Sequence, residues 1–527
     1  MTTPSRSLPR WLQPRSRAER QRPASLIDVD LDPAQRGAVE LPAERALLVL
    51  GEAGHGKTTV ALHRLAHVWR GLADRDGEAP VRAAVIVPSE GLARLLQPLV
   101  RRLGVDVEAI TYDRWAAAQA RRALRDVPRR ESETALPLVA RFKRDPAVRV
   151  ALAELAPRAP ARIDDDPDAP PARSRALVRR ADLQQLFGDR SLVEAIARAS
   201  GSVTSRMIDE VIDHTRVQFS RAAEDEWDHV TDRARLVAVD RRAMDDGTAA
   251  ADAGSIDVED YAILFELDRM RADRRGVPAR APRLYDVLVL DEAQEMAPLE
   301  LALVGRSLAP GGTLVVAGDV HQQTDPTTAF LDWEATMREL GCAEYAAVEL
   351  EIGYRCPPAI ASIARRILAG GGSGFAAGGE PAAEFAPVAV AFDSERDLAA
   401  RLGHDIAALQ RRDPRASVAV ICRSPLTARR MAEALRAKVP ARLVFDGRFL
   451  ARGPAQVTIV DEVKGLEFDF VLVPDATAVE YPDTPAARRA LYVAATRARH
   501  QLLFAAASRP TPLLAGLTFL DPPRGGV

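Results

Sequence analysis

The stretch Gly51-Glu-Ala-Gly-His-Gly-Lys-Thr58 decides the fold class, because it matches the pattern GxxxxGK[ST] in full. It follows the apolar run Ala46–Gly51 (ALLVLG) and opens a helical pattern that continues to Trp69. This strand-to-helix context is what a phosphate-binding loop requires. The sequence therefore predicts an α/β protein with a nucleotide site at the end of its first strand.

The residues of this loop are suited to holding the phosphates of ATP. Backbone N–H groups beside the loop glycines, together with the positive end of the helix dipole, would surround the phosphate oxygens. Lys57 would neutralise the β and γ oxygens, and the hydroxyl of Thr58 is a predicted Mg²⁺ ligand. The sequence predicts an ATP and Mg²⁺ site that includes Gly51, Gly54, Gly56, Lys57, Thr58 and Thr59.

A second apolar run ends in two acids, Val287-Leu-Val-Leu-Asp-Glu-Ala-Gln294. An unpaired charge at the end of a buried strand is costly, so this position indicates a function for the pair. Asp291 is placed to bind Mg²⁺, and Glu292 is placed to take a proton from an attacking water.

Short β-branched runs alternate with helical patterns, which predicts parallel sheets covered by helices on both faces. Residues 117–280 interrupt this alternation with amphipathic segments and predict a mainly helical insertion. We therefore predict an α/β fold with two RecA-like domains of the P-loop NTPase class. The predicted ranges are a disordered basic tail at 1–30, the first domain at 31–116 and 281–345, the insertion at 117–280, the second domain at 346–516 and a tail at 517–527.

Five further motifs occur in a fixed order, and with them the chain resembles superfamily 1 helicases of the UvrD/Rep-like family. The resemblance covers roughly 31–116 and 281–505 and implies an ATP-hydrolysing enzyme. Its motifs are Leu31-Asp-Pro-Ala-Gln35, Gly318-Asp-Val-His-Gln322, Gly353-Tyr-Arg-Cys-Pro357, Lys464-Gly-Leu-Glu-Phe-Asp469 and Leu491-Tyr-Val-Ala-Ala-Thr-Arg497.

The resemblance also implies a role for individual residues. Gln35 would read the adenine edge, Tyr354 would stack on the adenine, and Glu467, beside Gly465, would bind the ribose. Gln322 would link the γ-phosphate to a nucleic-acid groove, and two arginines of the second domain would approach the γ-phosphate. The catalytic set implied in this way is Lys57, Glu292, Gln322, Arg355 and Arg497.

Within the family, the chain looks most similar to the HelD-like branch. The stretch between Arg355 and Lys464 suffices for one α/β domain but not for the large helical insertion that UvrD and Rep carry there. The chain departs from UvrD-like proteins after Gln322, where no aromatic residue occurs until Phe330 and Trp333. Looser candidates for a nucleic-acid groove are Ser89, Thr111, Tyr112 and Trp115; for Trp115 a core position and a base contact are both open.

Composition sets further limits. The 527 residues carry a net charge of −2, so nucleic acid would need a local groove. Three separated cysteines favour a reducing, cytoplasmic setting, and no apolar run is long enough for a membrane helix. The arginine-rich stretch 1–24 is either a contact for nucleic acid or a partner, or a solvated tail. Only four residues are lysine, and Lys57 and Lys464 lie inside the motifs.

Three functions remain open from the sequence. The first is a helicase or translocase that moves along single-stranded DNA, with 3′-to-5′ polarity implied by the family. The second is a HelD-like ATPase that remodels RNA polymerase or another protein–nucleic-acid complex. The third is an NTP-driven switch that binds only protein partners. Stimulation of ATP hydrolysis by bare single-stranded DNA would favour the first.

Overall fold

The computed structural model of the chain describes Leu12 and residues 14–15, 27–73, 80–124, 126–132, 135–160, 177–220, 252–354, 356–370 and 386–521. In this part of the chain the strands form two sheets, one of six and one of seven strands, and every pairing within them is parallel. The predicted fold class, an α/β protein with two RecA-like sheets, is confirmed.

The first sheet has the strand order β3-β2-β4-β5-β1-β6. Side chains of its central strands alternate between two apolar cores, since Leu48 faces one core and Leu47 and Val49 face the other. Burial on both faces explains why these strands are continuous apolar runs. The strands are β1 (Ala46–Gly51), β2 (Ala83–Val87), β3 (Ala109–Thr111), β4 (Tyr285–Leu290), β5 (Leu308–Gly318) and β6 (Tyr345–Leu350).

Helices cover both faces of this sheet, and the residues between β3 and β4 form further helices. The described part of that stretch contributes no strand to either sheet. The helices up to β6 are α1 (Pro33–Val39), α2 (Lys57–Ala73), α3 (Glu90–Arg102), α4 (Tyr112–Ala123), α5 (Pro137–Lys143), α6 (Val148–Leu155), α7 (Ala181–Gly188), α8 (Arg190–Ser200), α9 (Ser205–Gln218), α10 (Val258–Arg275), α11 (Pro298–Gly305) and α12 (Trp333–Glu339).

The second sheet has the strand order β13-β7-β12-β11-β8-β10-β9. Its strands are β7 (Val388–Ala391), β8 (Val418–Cys422), β9 (Ala441–Leu443), β10 (Ala455–Ile459), β11 (Phe468–Val473), β12 (Ala498–Ala506) and β13 (Phe519–Leu520). Its helices are α13 (Pro358–Ala369), α14 (Glu395–Arg412), α15 (Pro425–Arg436) and α16 (Pro485–Thr496). Two apolar cores again lie on its two faces, which makes it a second complete α/β layer structure.

Two features bear on the predicted domain ranges. The predicted boundary at residue 345 falls inside β6, which pairs with β1 along its whole length and so extends the first sheet to Leu350. In the predicted tail 1–30, Leu12 is buried against the second sheet, and Arg15 forms ion pairs with Asp413 and Asp469. None of the described helices has both the length and the apolar character needed to cross a bilayer.

A buried carboxyl joins the ends of β11 and β8. Asp475 Oδ2 accepts a hydrogen bond from the backbone N–H of Arg423 at 2.7 Å, whereas Oδ1 has no partner among the described residues. Burial of this half-satisfied group raises the pKa of Asp475 to about 7. The folded protein therefore keeps a proton that the unfolded chain releases at lower pH.

We predict that Asp475→Asn reduces the loss of stability on raising the pH. Between about pH 4 and pH 7 the folded wild type binds more protons at this group than the unfolded chain, so its free energy of unfolding falls as the pH rises. The raised pKa corresponds to at most roughly 4 kcal/mol across that window. Urea unfolding at pH 5 and pH 8 measures the effect, with exposed Asp393→Asn as control. Equal pH dependence of the wild type and Asp475→Asn would contradict this account.

Candidate functional site

The predicted phosphate-binding loop connects β1 to α2 and adopts backbone angles that favour glycine. Gly54 and Gly56 have φ values of 81° and 91°, in the left-handed region. A Cβ atom at Gly56 would lie 2.8 Å from the side-chain nitrogen of Gln35, so the loop has no space for a larger residue there. The loop is therefore packed directly against α1, which contains Gln35, the residue predicted to contact the adenine edge.

Lys57, the first residue of α2, is folded back over the loop. Its Nζ donates to the carbonyl oxygens of Gly51 at 2.8 Å and Glu52 at 3.0 Å, and lies 3.8 Å from Asp319 Oδ2. The ammonium group is thus held beside the loop by two neutral acceptors, which phosphate oxygens can replace, and by the nearby Asp319 carboxylate. Thr59, further along α2, is buried.

Thr58 and Asp291, the two predicted Mg²⁺ ligands, lie side by side. Thr58 Oγ1 donates to Asp291 Oδ2 at 2.7 Å, although 233 positions separate them in the sequence. Burial and the neighbouring Glu292 raise the pKa of Asp291 to about 7. A hydroxyl and a carboxylate oxygen are hard donors that Mg²⁺ accepts, with its remaining positions left to phosphates and water. These two residues therefore fit the predicted metal.

Glu292 has φ of 56°, which is unusual for a residue with a side chain and costs on the order of 1–3 kcal/mol. This turn at the end of β4 directs its carboxylate toward Gln294, whose Nε2 donates to Glu292 Oε2 at 2.6 Å. The side chain is buried beside Asp291. Strain of this kind is concentrated at functional sites, where the surrounding structure holds it.

A chain of hydrogen bonds leads from Gln294 into the second domain. Gln294 Oε1 accepts from the backbone N–H of Asp319 at 3.1 Å, and Gln322 Nε2 donates to Asp319 Oδ2 at 2.9 Å. Arg497 Nη2 then donates to Gln322 Oε1 at 2.6 Å. The structure thus brings together Glu292, Gln322 and Arg497, which the sequence predicted as catalytic.

Arg497 ends α16 and is 4% exposed. Its guanidinium also donates to the carbonyl oxygens of Val493 at 3.1 Å and Leu466 at 3.4 Å, both in its own domain. These bonds fix its direction toward the first domain. The other predicted arginine, Arg355, lies outside the described residues.

The residues predicted to hold the base meet at Asp32. Gln35 Oε1 accepts from the Asp32 backbone N–H at 3.3 Å, and Tyr354 donates its hydroxyl to Asp32 Oδ2 at 2.6 Å. The Tyr354 side chain is 52% exposed, so its ring is accessible for stacking. Glu467 is half-buried in the second domain, one residue before β11.

The looser candidates for a nucleic-acid groove do not form an open row of contacts. Ser89 and Thr111 cap α3 and α4 by accepting backbone N–H groups. Trp115 is 1% exposed in the first core, which confirms the core interpretation and excludes a base contact, and Tyr112 is buried there too. Tyr112 and Trp115 therefore pack in the core on the buried face of α4 and do not line a groove.

The second domain packs tightly on the start of α3. A Cβ atom at Gly447, which has φ of 64°, would overlap the backbone nitrogen of Gly91. Gly465, with φ of 71°, lies against Leu92, since a Cβ atom there would be 2.8 Å from its side chain. Two glycines of one domain thus allow its backbone to approach a helix of the other.

Two interdomain residues were not predicted from the sequence. Tyr492 accepts the backbone N–H of Ala53 and donates to Asp319, both at 3.5 Å. Lys464 Nζ lies 3.1 Å from Glu295 Oε2. Both residues lie inside motifs that the sequence revealed, and the rarity of lysine was a signal for Lys464.

Comparison with known proteins gives one family match, over residues 454–505, to the UvrD-like helicase C-terminal domain. This part of the chain is similar to that helicase domain. The match spans β10 to most of β12 and includes Lys464, Glu467, Tyr492 and Arg497. The similarity is to a helicase domain, and it covers only part of the second domain.

Solved structures provide a further similarity. The C-terminal domain of a possible DNA helicase from Lactobacillus plantarum WCFS1 shares 24% sequence identity; the alignment covers 32% of this chain and 95% of that one, with a TM-score of 0.26. No curated protein gives a significant match.

We predict that Glu292→Gln lowers ATP hydrolysis at least about 100-fold, because a buried amide cannot accept the proton of the attacking water. Nucleotide affinity should stay within about threefold, since the phosphate loop is unchanged. Phosphate release and nucleotide titration measure the two quantities, and Glu334→Gln, an exposed acid of the same domain, is the control. Lys57→Ala should also abolish hydrolysis. Turnover by Glu292→Gln within threefold of the wild type would rule out this role.

Proposed function

We propose that the chain is an ATP-dependent DNA helicase or translocase of the UvrD type, which hydrolyses ATP between its two RecA-like domains and moves along single-stranded DNA. The hydrogen-bond chain from Glu292 through Gln294, Asp319 and Gln322 to Arg497 carries the proposal. It connects the predicted base to the predicted arginine finger across a domain boundary. The family match over residues 454–505 supports it from the sequence side.

In this proposal each residue has one role in binding or hydrolysing ATP. Lys57 exchanges the Gly51 and Glu52 carbonyl oxygens for phosphate oxygens. Thr58 and Asp291 would hold Mg²⁺, which would supply positive charge beside the phosphate oxygens. Glu292 orients the attacking water and accepts its proton. Arg497 turns from Gln322 to the γ-phosphate and stabilises the transition state.

Turnover is coupled to domain movement because the site is divided. The first domain supplies the phosphate loop and the two carboxylates, and the second supplies Arg497 and Glu467. ATP binding favours the closed pair of domains, and loss of the γ-phosphate removes a ligand that both domains share. Repeated closing and opening is the physical basis of stepping, in the 3′-to-5′ direction that the family implies.

A second candidate function, remodelling of a protein–nucleic-acid complex by a HelD-like ATPase, is favoured by the aromatic residues. Phe330 and Trp333, the first aromatics after Gln322, pack on each other with ring centroids 4.8 Å apart. The Trp333 ring also fills the space beside Gly318. Aromatic stacking contributes about 1–3 kcal/mol per base in strand binding, and these rings are already engaged.

The experiment that separates the functions is an ATPase assay with single-stranded DNA, duplex DNA, RNA and RNA polymerase as separate additions. Stimulation of at least about tenfold by bare single-stranded DNA, with a salt dependence that reports phosphate contacts, supports the translocase. Stimulation by polymerase alone supports remodelling. Hydrolysis without response to any nucleic acid would leave the NTP-driven switch as the function.

We predict that Arg497→Ala lowers kcat at least about 100-fold while KM for ATP changes less than about threefold. A finger that acts on developing charge contributes mainly to the transition state. Steady-state kinetics measure both constants. Arg488→Ala removes an arginine of the same helix that pairs with Asp483 and should retain full turnover. A kcat for Arg497→Ala close to the wild-type value would show that the Gln322 contact is only structural.

We predict weak or absent strand separation by the isolated protein, even where ATP-driven movement occurs. Opening DNA costs a mean of about 1.4 kcal/mol per base-pair step, and the freed strand must then be held. A net charge of −2 offers little attraction for the phosphates of the freed strand, and the packed rings of Phe330 and Trp333 offer little surface for stacking its bases. A labelled 3′-tailed duplex with ATP at low salt is the measurement, and Lys57→Ala is the control. Efficient, Lys57-dependent unwinding by the protein alone would prove this expectation wrong.

A further inference from the structure

Glu295 is a buried carboxylate that holds both a loop of the first domain and a lysine of the second. Its Oε1 accepts the backbone N–H of Thr324 at 2.9 Å, and its Oε2 accepts that of Asp325 at 3.2 Å. Lys464 Nζ lies 3.1 Å from the same Oε2. The stretch Gly318-Asp-Val-His-Gln322 resembles motif III of the superfamily 1 helicases, and we call residues 323–328, which follow it directly, the motif III loop. Through Glu295, the position of this loop and the contact between the domains depend on one another.

The opposite side of the motif III loop is held by Arg144, which follows α5 in the helical insertion. Arg144 Nη1 donates to Asp325 Oδ2 at 2.6 Å, to Thr327 Oγ1 at 2.6 Å and to Thr328 Oγ1 at 3.1 Å. Its Nε donates to Glu300 Oε1 at 3.0 Å. One guanidinium thus connects the insertion, the motif III loop and α11.

The surroundings make this connection stiff. Arg144 and Glu300 are largely removed from water, so breaking their contacts leaves charges without partners, which is costly. The preceding residue, Lys143, is buried in the insertion, where its Nζ lies 2.6 Å from Asp257 and 2.8 Å from Asp260. Because these carboxylates lie at the start of α10, the end of α5 is fixed to the body of the insertion. A displacement of the insertion therefore moves the loop.

We propose that Arg144 is a positioning residue through which the helical insertion sets the rate of ATP turnover. The motif III loop begins one residue after Gln322, and Gln322 Oε1 accepts the hydrogen bond from Arg497. By holding Asp325 and Thr327, Arg144 pre-organises Glu295 for Lys464 and Gln322 for Arg497. This inference rests on the proposed ATPase function. It assigns to the insertion a regulatory contact with the site rather than only a binding surface.

Two conservative substitutions in the loop test the proposal without removing a buried charge from the insertion. Asp325→Asn keeps Oδ1, which caps Thr327, but presents an amide donor to Arg144. Thr327→Val removes one acceptor at nearly constant volume. We expect kcat to fall about fivefold for Asp325→Asn and about twofold for Thr327→Val, with KM for ATP within twofold. Arg144→Lys keeps the positive charge but loses the several N–H donors of the guanidinium. We expect its kcat to lie between those of the wild type and Asp325→Asn.

The matched control is Arg149→Ala. Arg149 also connects the insertion to the first domain, through two hydrogen bonds of 2.8 and 2.6 Å to Glu339, but it does not contact the motif III loop. We expect its kcat to stay within about 1.5-fold of the wild type. If Arg149→Ala lowers kcat as much as Asp325→Asn, the contacts act only as structural support and the proposal is overturned.

Hydrogen exchange of the nucleotide-free protein gives a readout that does not depend on catalysis. The backbone amides of Thr324 and Asp325 donate to Glu295. We expect both amides to exchange at least about fivefold faster in Asp325→Asn than in the wild type, and at the wild-type rate in Arg149→Ala. Unchanged exchange in Asp325→Asn, or a kcat within 1.5-fold of the wild type, would overturn the inference. A chain that hydrolyses no ATP but shows the faster exchange would instead refute the proposed function and retain the contact between insertion and loop.

Discussion

The hydrogen bond from Arg497 to Gln322 is the contact on which the arrangement of the two domains depends. The guanidinium is buried, and it also donates to the carbonyl oxygens of Val493 and Leu466 and to the hydroxyl of Thr496, all in its own domain. A buried cation that loses an acceptor must find another or return to water, because an unsatisfied charge is costly. In this structure the position of the second domain is therefore tied to Gln322 and, through Asp319, to the phosphate loop.

The parallel sheets explain why so few residues suffice to build this site. In the first sheet β4, β5 and β1 are neighbours, so Asp291, Asp319 and the phosphate loop emerge from adjacent strand ends at one edge. The second domain meets this edge with the opposite ends of its own strands, since Glu467 and Arg497 immediately precede β11 and β12. Residues far apart in the chain thus meet without a long loop. The parallel strands of each sheet thus align the site residues of that domain along one edge.

The sequence predicted those parts of the fold whose signal is local. Buried central strands such as β1 and β4 are continuous apolar runs, and the bounds of β1 are as predicted. The start of β12 has no such signal, because the polar residues Arg499, His500 and Gln501 follow Ala498. The Thr58–Asp291 pairing follows from two motifs that the sequence revealed. The contacts of Arg144 and Lys464 do not, because each depends on how separate segments pack in space.

The close approach of Gly447 to Gly91 has a consequence for how the molecule can vary. At this point the backbone of Gly447 lies directly against the backbone of Glu90 and Gly91. Any residue with a Cβ atom at position 447 would push the two domains apart, and the size of its side chain would set their smallest possible separation. In the proposed cycle ATP binding favours the closed cleft. Substitutions at position 447, from alanine to bulky residues, would therefore lower the rate of hydrolysis in steps, although this position is far from the phosphates. The rate of the proposed cycle would then be adjustable without any change to the residues that act on ATP.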